Sequence, residues 1–401
     1  MSPLTKKIVV AVSLVVLVYV TAGYVLGRSG DDKAFRALTA YSEVLEHIQR
    51  DYVDDPNLHQ VTSGALHGLL DSLDPQSGYM SPLEYTDFKE KSAADPKGAA
   101  GLTLTKRFGY IAVISALPDS PAAKAGLKIG DVIEKIAGFT TGQMSIDQAQ
   151  VLLTGQPGTT VKLSVIHRGK TEPQDMDITL AKLAAAKLVD EKVEGDIAYI
   201  RVPEFTAGMT KQIHDELVQL DHQGVHKLML DLRDCSSGDD KEGISTAQLF
   251  VSSGTIATLK GQTVSPVVST ADPSKVVWKQ PMTVLIGNTT AGPAEIVASA
   301  IAANHRGETV GDRTYGVASM QKLIQLDDGS ALILTVANYY TPDGKEIPVD
   351  GVVPTEVVHP AMDDAMAAAQ EPPAPSSSPS DPVVKKALEI LQGNGSQRKA
   401  A

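Results

Sequence analysis

The sequence predicts a multidomain α/β protein, and three observations carry that reading. The chain opens on an apolar run, continues into a module of short alternating strands, and from Asp196 onward alternates strand with helix. At 401 residues with 42% hydrophobic content it is long enough for two or three domains with cores of their own.

Residues 1–30 place Lys6 and Lys7 ahead of 19 uncharged, mostly apolar residues from Ile8 to Leu26. That length suits one membrane span, and the basic flank against Asp31 and Asp32 places the rest of the chain outside the cytoplasm, periplasmic or at the cell surface. A cleaved signal peptide would leave the chain secreted instead, but no A-x-A site closes the run. Cys235 is the sole cysteine, which excludes both a lipidated cysteine in this segment and any intrachain disulfide.

A small helical region is expected over 34–97. Tyr41–Asp55 and Leu58–Leu73 carry apolar residues at helical spacing, and Ser81 is placed to cap a further helix. Residues 98–182 change texture, with strands at Tyr110–Ser115 and Val161–His167 and a short helix opened by the capping box of Ser145 and Gln148.

Over 183–360 the strand Ile197–Val202, a helix ending at Gly224, the strand Lys227–Asp234, the strand Met282–Gly287, the helix Ala294–Ala303 and the strand Ala331–Tyr340 follow one another. Residues 361–401 hold a Pro/Ser-rich linker and a short amphipathic helix before a basic end.

The formal charge of −12, with no Lys/Arg cluster interleaved with aromatics, argues against nucleic acid as a partner. The histidines are scattered, no Cys/His/Asp group has ligand spacing, and no phosphate-binding loop appears, so neither metal nor cofactor is expected.

The order of SPAAKAGLKIGDVI, LMLDLRD, the turn Asn288–Glu295, VGDRTYG and YYTPDGKEI, preceded by LDPQSGYMSP, resembles the carboxyl-terminal processing (tail-specific) serine peptidases from about Ala34 to Pro360. The resemblance implies a PDZ-like β-barrel module over 98–182 that binds protein C-termini or unfolded polypeptide. It also implies an α/β tail-specific protease core over 183–360 that cuts with a serine activated by a lysine.

Such a dyad needs a hydroxyl at a helix N-terminus, a lysine desolvated enough to be neutral, and backbone N–H donors for the oxyanion. The family's nucleophile lies three residues before the glutamate of a SASASE-like turn, which here falls on Gly292. Its lysine follows an aromatic–glycine pair, which here gives Val317, while Gln321 stands where the pattern has a polar group orienting that lysine. In DLRDCSSGDDKEG, Ser237 and Gly238 fill glycine places of the family's DLRGNPGG loop, and Ser237 predicts a misaligned oxyanion loop if that place demands a glycine backbone.

Thr289, Thr290, Ser319 and Cys235 are the hydroxyls and the thiol nearby, but His214 and His222 on a polar helix face and His305 at a helix end offer them no base. In the PDZ-like module Gly101, Leu102, Thr103 and Leu104 are the expected peptide contacts, with selectivity falling to the helix from Ser145; Leu102 and Leu104 serve equally well as barrel packing.

The expected function is that of a membrane-anchored pseudopeptidase binding protein C-termini or partner proteins. Two alternatives stand beside it. One is an active serine endopeptidase; the other is a regulatory subunit that pairs with an active relative through its N-terminal helices. As a partner, that relative or a second copy of the chain is admitted.

Overall fold

In the computed structural model the described residues are 32–93, 98–107, 109–184, 187–194, 196–358 and 381–393. The expected membrane anchor falls on residues 1–30, outside the described residues. Among the described residues no helix is long and apolar enough to cross a membrane. The chain divides into two compact units, 1–65 and 66–401.

The first unit holds the helix Asp32–Asp51 and the start of the helix Leu58–Asp71. Leu38 and Val44 stand exposed on the first of these helices.

In the second unit a six-stranded sheet runs in the order Val189–Glu194, Ile197–Arg201, Lys227–Asp231, Met282–Ile286, Glu308–Gly311, Glu356–Val357. Its first pair is antiparallel and the remaining pairs are parallel. The strands read as continuous apolar runs because both faces are covered. Ala198 and Ile200 face a core shared with the helices Met209–His222 and Pro293–Ala303. Ile197 and Tyr199 face the opposite way, onto Val383, Val384, Ala387, Leu388 and Leu391 of the C-terminal helix Pro382–Leu391. That helix is tied down at its cap, where Arg233 pairs with both Asp231 and Asp381.

Beside this sheet lies a five-stranded antiparallel one built on Ala331–Tyr340. Its outermost member is Gly78–Met80, which leaves the helical region to pair in register with Ala331–Ile333.

The β-module is a sheet in the order Leu102–Arg107, Tyr110–Ala116, Val132–Ile136, Thr160–Ile166, Gln174–Thr179, closed over its own core of Leu104, Ile111, Ile133, Ile136, Leu163 and Val165. The helix Ile146–Leu152 opens on the capping box expected from the sequence: the Ser145 hydroxyl accepts from Gln148 N–H at 3.1 Å, and Gln148 Oε1 accepts from Ser145 N–H at 2.7 Å.

Candidate active-site turn and peptide groove

Two loops leave the carboxyl ends of adjacent parallel strands, the place where open α/β sheets build their sites. One follows Lys227–Asp231 and the other follows Met282–Ile286. They are laced together: Asp234 N–H donates to Thr289 Oγ1 at 3.0 Å, Thr290 Oγ1 donates to Leu232 O at 2.9 Å, and Ala291 N–H donates to Cys235 O at 3.0 Å. Asp231 is fully buried beneath them and accepts from Tyr199 Oη at 2.6 Å and from Arg233 N–H at 2.9 Å.

At the tip of the second loop Gly292 is the N-cap of the helix Pro293–Ala303, with φ 59° and ψ −123°. This is the sharp strand-to-helix turn that exposes a side chain, held in a backbone conformation costly to any residue but glycine. A Cβ built there would meet nothing within 4 Å. The place for a side chain is open.

Glu295 organises the surroundings. It is fully buried, and its Oε2 accepts from Gly292 N–H at 3.0 Å and from Val317 N–H at 2.9 Å. Its Oε1 accepts from Gly316 N–H at 2.6 Å and Thr314 Oγ1 at 2.5 Å. Burial pushes this carboxyl upward in pKa, and the four donors oppose the push. Gly292 and Val317 are thereby held within two hydrogen bonds of one another through one oxygen.

Ser237 is not among the residues at positive φ, so a side chain there strains nothing. The expected misalignment of this loop by Ser237 is therefore not found. Gly238 is the position that does require glycine: its φ is 129°, and a Cβ would lie 2.4 Å from Phe205 O. Phe205 N–H donates to Ser237 O and Asp239 N–H donates to Phe205 O, each at 2.9 Å, leaving the Gly238 N–H without an acceptor among the described residues.

The alternative nucleophiles are all engaged. Ser319 Oγ donates to Val317 O at 3.1 Å and accepts from Gln321 Nε2 at 2.8 Å, so Gln321 orients a hydroxyl here. Thr289 and Thr290 are consumed by the loop contacts above. Cys235 is fully buried, and its thiol is pushed well above the usual range by that burial and by the nearby Glu204 carboxylate.

The residue after Gly292 is Pro293, and proline has no N–H. A serine nucleophile at such a turn takes the N–H of the next residue as one of its oxyanion donors. The fit of Pro293 to the first helical position, which the sequence suggests at once, hides that loss.

In the β-module Gly101 has φ 78° and lies so close to Ser120 that a Cβ would sit 2.3 Å from the Ser120 Cβ. Leu102 and Leu104 face the module's core, and Thr103 is half-buried. The strand they belong to is an edge strand, paired among the described residues with Tyr110–Ala116 alone. Its outer backbone edge, rather than the leucine side chains, is what a peptide would meet. The module also touches the active-site loop, where Ser115 Oγ and Ser236 Oγ lie 2.5 Å apart, both buried.

Comparison with known proteins agrees with this geometry. Residues 196–358 match peptidase family S41 and residues 113–166 match the PDZ domain. The carboxy-terminal-processing protease of Bartonella bacilliformis is 30% identical over 335 residues, covering 82% of this chain and 77% of that protein. The chain belongs to peptidase family S41.

The carboxy-terminal processing protease CtpA of Bacillus subtilis strain 168 is a second relative, 31% identical over 328 residues, 81% of this chain and 69% of that protein. Among solved structures, the photosystem II D1 C-terminal processing protease superposes with a TM-score of 0.67 over 90% of this chain and 98% of that one, at 24% identity. That likeness is one of fold. The family pattern read along the chain expects its nucleophile at Gly292, the residue of this open turn, and its lysine at Val317.

Proposed function

We propose that this S41 member is a pseudopeptidase: a protease scaffold retained outside the cytoplasm, anchored by its N-terminal segment, that binds protein C-termini through its PDZ domain without cutting them. The observation that carries the reading is the pairing at Glu295. One carboxylate oxygen holds the backbone N–H of both Gly292 and Val317, so the frame for a Ser/Lys dyad is in place around two residues that supply neither hydroxyl nor amine. A glycine cannot attack a carbonyl, and a valine cannot accept a proton.

Pro293 adds a loss of a different kind, since a restored nucleophile would still lack one oxyanion donor. The PDZ side of the reading rests on the edge strand Leu102–Arg107, whose outer edge pairs with no other strand among the described residues, beside a tight glycine loop at Gly101.

The names of the relatives favour a second reading, that of an active carboxy-terminal processing peptidase. It requires a nucleophile other than the dyad serine, and the engaged hydroxyls of Thr289, Thr290 and Ser319 and the buried Cys235 weigh against it. The test is cleavage of an unfolded protein with an apolar C-terminus, read by mass spectrometry. Three proteins are compared: the unmodified chain, Gly292→Ser/Val317→Lys, and the same pair with Pro293→Ala. No cleavage by the first, weak cleavage by the second and strong cleavage by the third is expected. Cutting by the unmodified chain would overturn the reading.

A further inference from the structure

A C-terminus bound to the edge strand Leu102–Arg107, with its carboxylate at the Gly101 loop, runs antiparallel to that strand. Its upstream residues then leave the groove past Lys106 on one wall and past the start of the helix Ile146–Leu152 on the other. Both of those points are occupied by a segment of the same chain.

Lys106 Nζ is bound to Asp71 Oδ1 at 2.5 Å, with the lysine side chain only 6% exposed and the aspartate 28%. On the other wall the backbone of Gly78 lies against Ser145, the cap of the groove helix, where a Cβ on Gly78 would come within 2.6 Å of the Ser145 Cβ. The helix Pro82–Ala93 packs on the groove helix as well. Residues 71–93 therefore bridge the two walls at the end by which a ligand must leave.

The bridging segment is held at its other side too. Gly78–Met80 is a strand of the protease sheet. The turn before it is fixed by Asp74, whose Oδ1 accepts from Ser77 N–H at 2.9 Å and from Thr335 Oγ1 at 3.0 Å.

We propose that residues 71–93 are a latch across the exit of the PDZ groove, admitting a short free C-terminus and excluding a longer chain until the Lys106–Asp71 pair opens. The proposal rests on the peptide-binding reading and names its regulation: the ligand is a polypeptide end, and its upstream length decides whether the latch must open. The ion pair is the yielding contact, because Asp71 has water to return to, whereas the Gly78–Ser145 contact is backbone against side chain in a buried sheet.

The experiment measures binding of two peptides to the full-length protein, a tetrapeptide and a fifteen-residue peptide sharing its apolar C-terminus, by calorimetry and stopped-flow. Asp71→Asn is expected to raise the association rate of the long peptide at least tenfold and to leave the affinity of the tetrapeptide within twofold. The exchanged pair Lys106→Asp/Asp71→Lys is expected to restore slow association of the long peptide. Equal effects of Asp71→Asn on both peptides, or no effect on either, would overturn the latch while leaving peptide binding standing. Absence of binding of both peptides to every folded variant would remove the peptide-binding reading and the latch with it.

Discussion

The turn at Gly292 and the PDZ groove sit on one chain, yet they keep different things. At the turn the backbone is tightly held, with Glu295 gathering N–H groups from Gly292, Gly316 and Val317, while Gly292 and Val317 carry neither hydroxyl nor amine. In the PDZ domain the tight glycine loop, the edge strand and the capped groove helix are all present. A scaffold freed of every function would have no reason to preserve the costly parts of either. Glu295 is such a part, since a buried carboxylate destabilises a fold unless its donors stay in place.

The largest effects test the turn. If Glu295 is the strut of this turn, Glu295→Ala leaves three backbone N–H groups and the Thr314 hydroxyl proton without their acceptor, although Thr314 Oγ1 still accepts from Val352 N–H, and unfolding in urea is expected to show a loss of about 3–5 kcal/mol. A loss below about 1 kcal/mol would mean that water reaches those groups and that the frame is looser than described.

Restoring chemistry is the next test. In the Gly292→Ser/Val317→Lys background, adding Pro293→Ala is expected to raise the cleavage rate by about 100-fold to 1,000-fold, the usual value of one oxyanion donor. An equal rate with and without the proline would show that the donor comes from elsewhere. Gly292→Ser alone is expected to cost about 1–3 kcal/mol of stability, because φ 59° with ψ −123° strains any side-chain-bearing residue even where space is free.

The smallest effect sharpens the PDZ side. Burial raises the Asp147 carboxyl to about 6 at the first turn of the groove helix, and burial with the neighbouring Asp239 charge raises Asp240 to about 6 beside the active-site loop. A carboxyl raised in the folded state binds its proton more tightly folded than unfolded. Its contribution to stability is therefore present at low pH and lost as pH rises from the ordinary aspartate range through about 6. Asp147→Asn is expected to stabilise the protein by about 1–2 kcal/mol at pH 7.5 and to leave it unchanged near pH 3.5, checked by thermal melts at both values. Glu84 works in the opposite sense. Burial alone would raise it, but bonds from His67 and Ser81 hold it at about 2, so its stabilisation is present at neutral pH and is lost as pH falls from the ordinary glutamate range through about 2.

Much of the architecture could be read along the chain because its signals are local. The capping box of Ser145 and Gln148, the period-two strands of the β-module and the apolar runs of the parallel sheet depend on neighbours within one or two turns. The expectation that a Ser/Lys dyad would fall on Gly292 and Val317 is local too, since ungapped motifs surround both. Pro293 is equally legible along the chain: its fixed φ suits the first helical position, and its missing N–H removes a donor there. At Ser237 the pattern alone is insufficient, because a glycine place does not say which of its glycines has the positive φ; in the structure that residue is Gly238.

By itself, then, the sequence determined that positions 292 and 317 carry neither hydroxyl nor amine and that a strand-bearing module precedes an α/β core, because side-chain identity and short-range periodicity need no partner; it did not place the bounds of the helix Asp32–Asp51, where the periodicity suggests Tyr41–Asp55. Only the tertiary structure decided that one oxygen of Glu295 joins Gly292 to Val317, that Gly78–Met80 leaves its own helical region for a strand about 250 residues away, and that Asp71 reaches Lys106. Each of these contacts joins residues far apart in the chain, and each depends on burial. Their strength comes from removal from water, which no local pattern records.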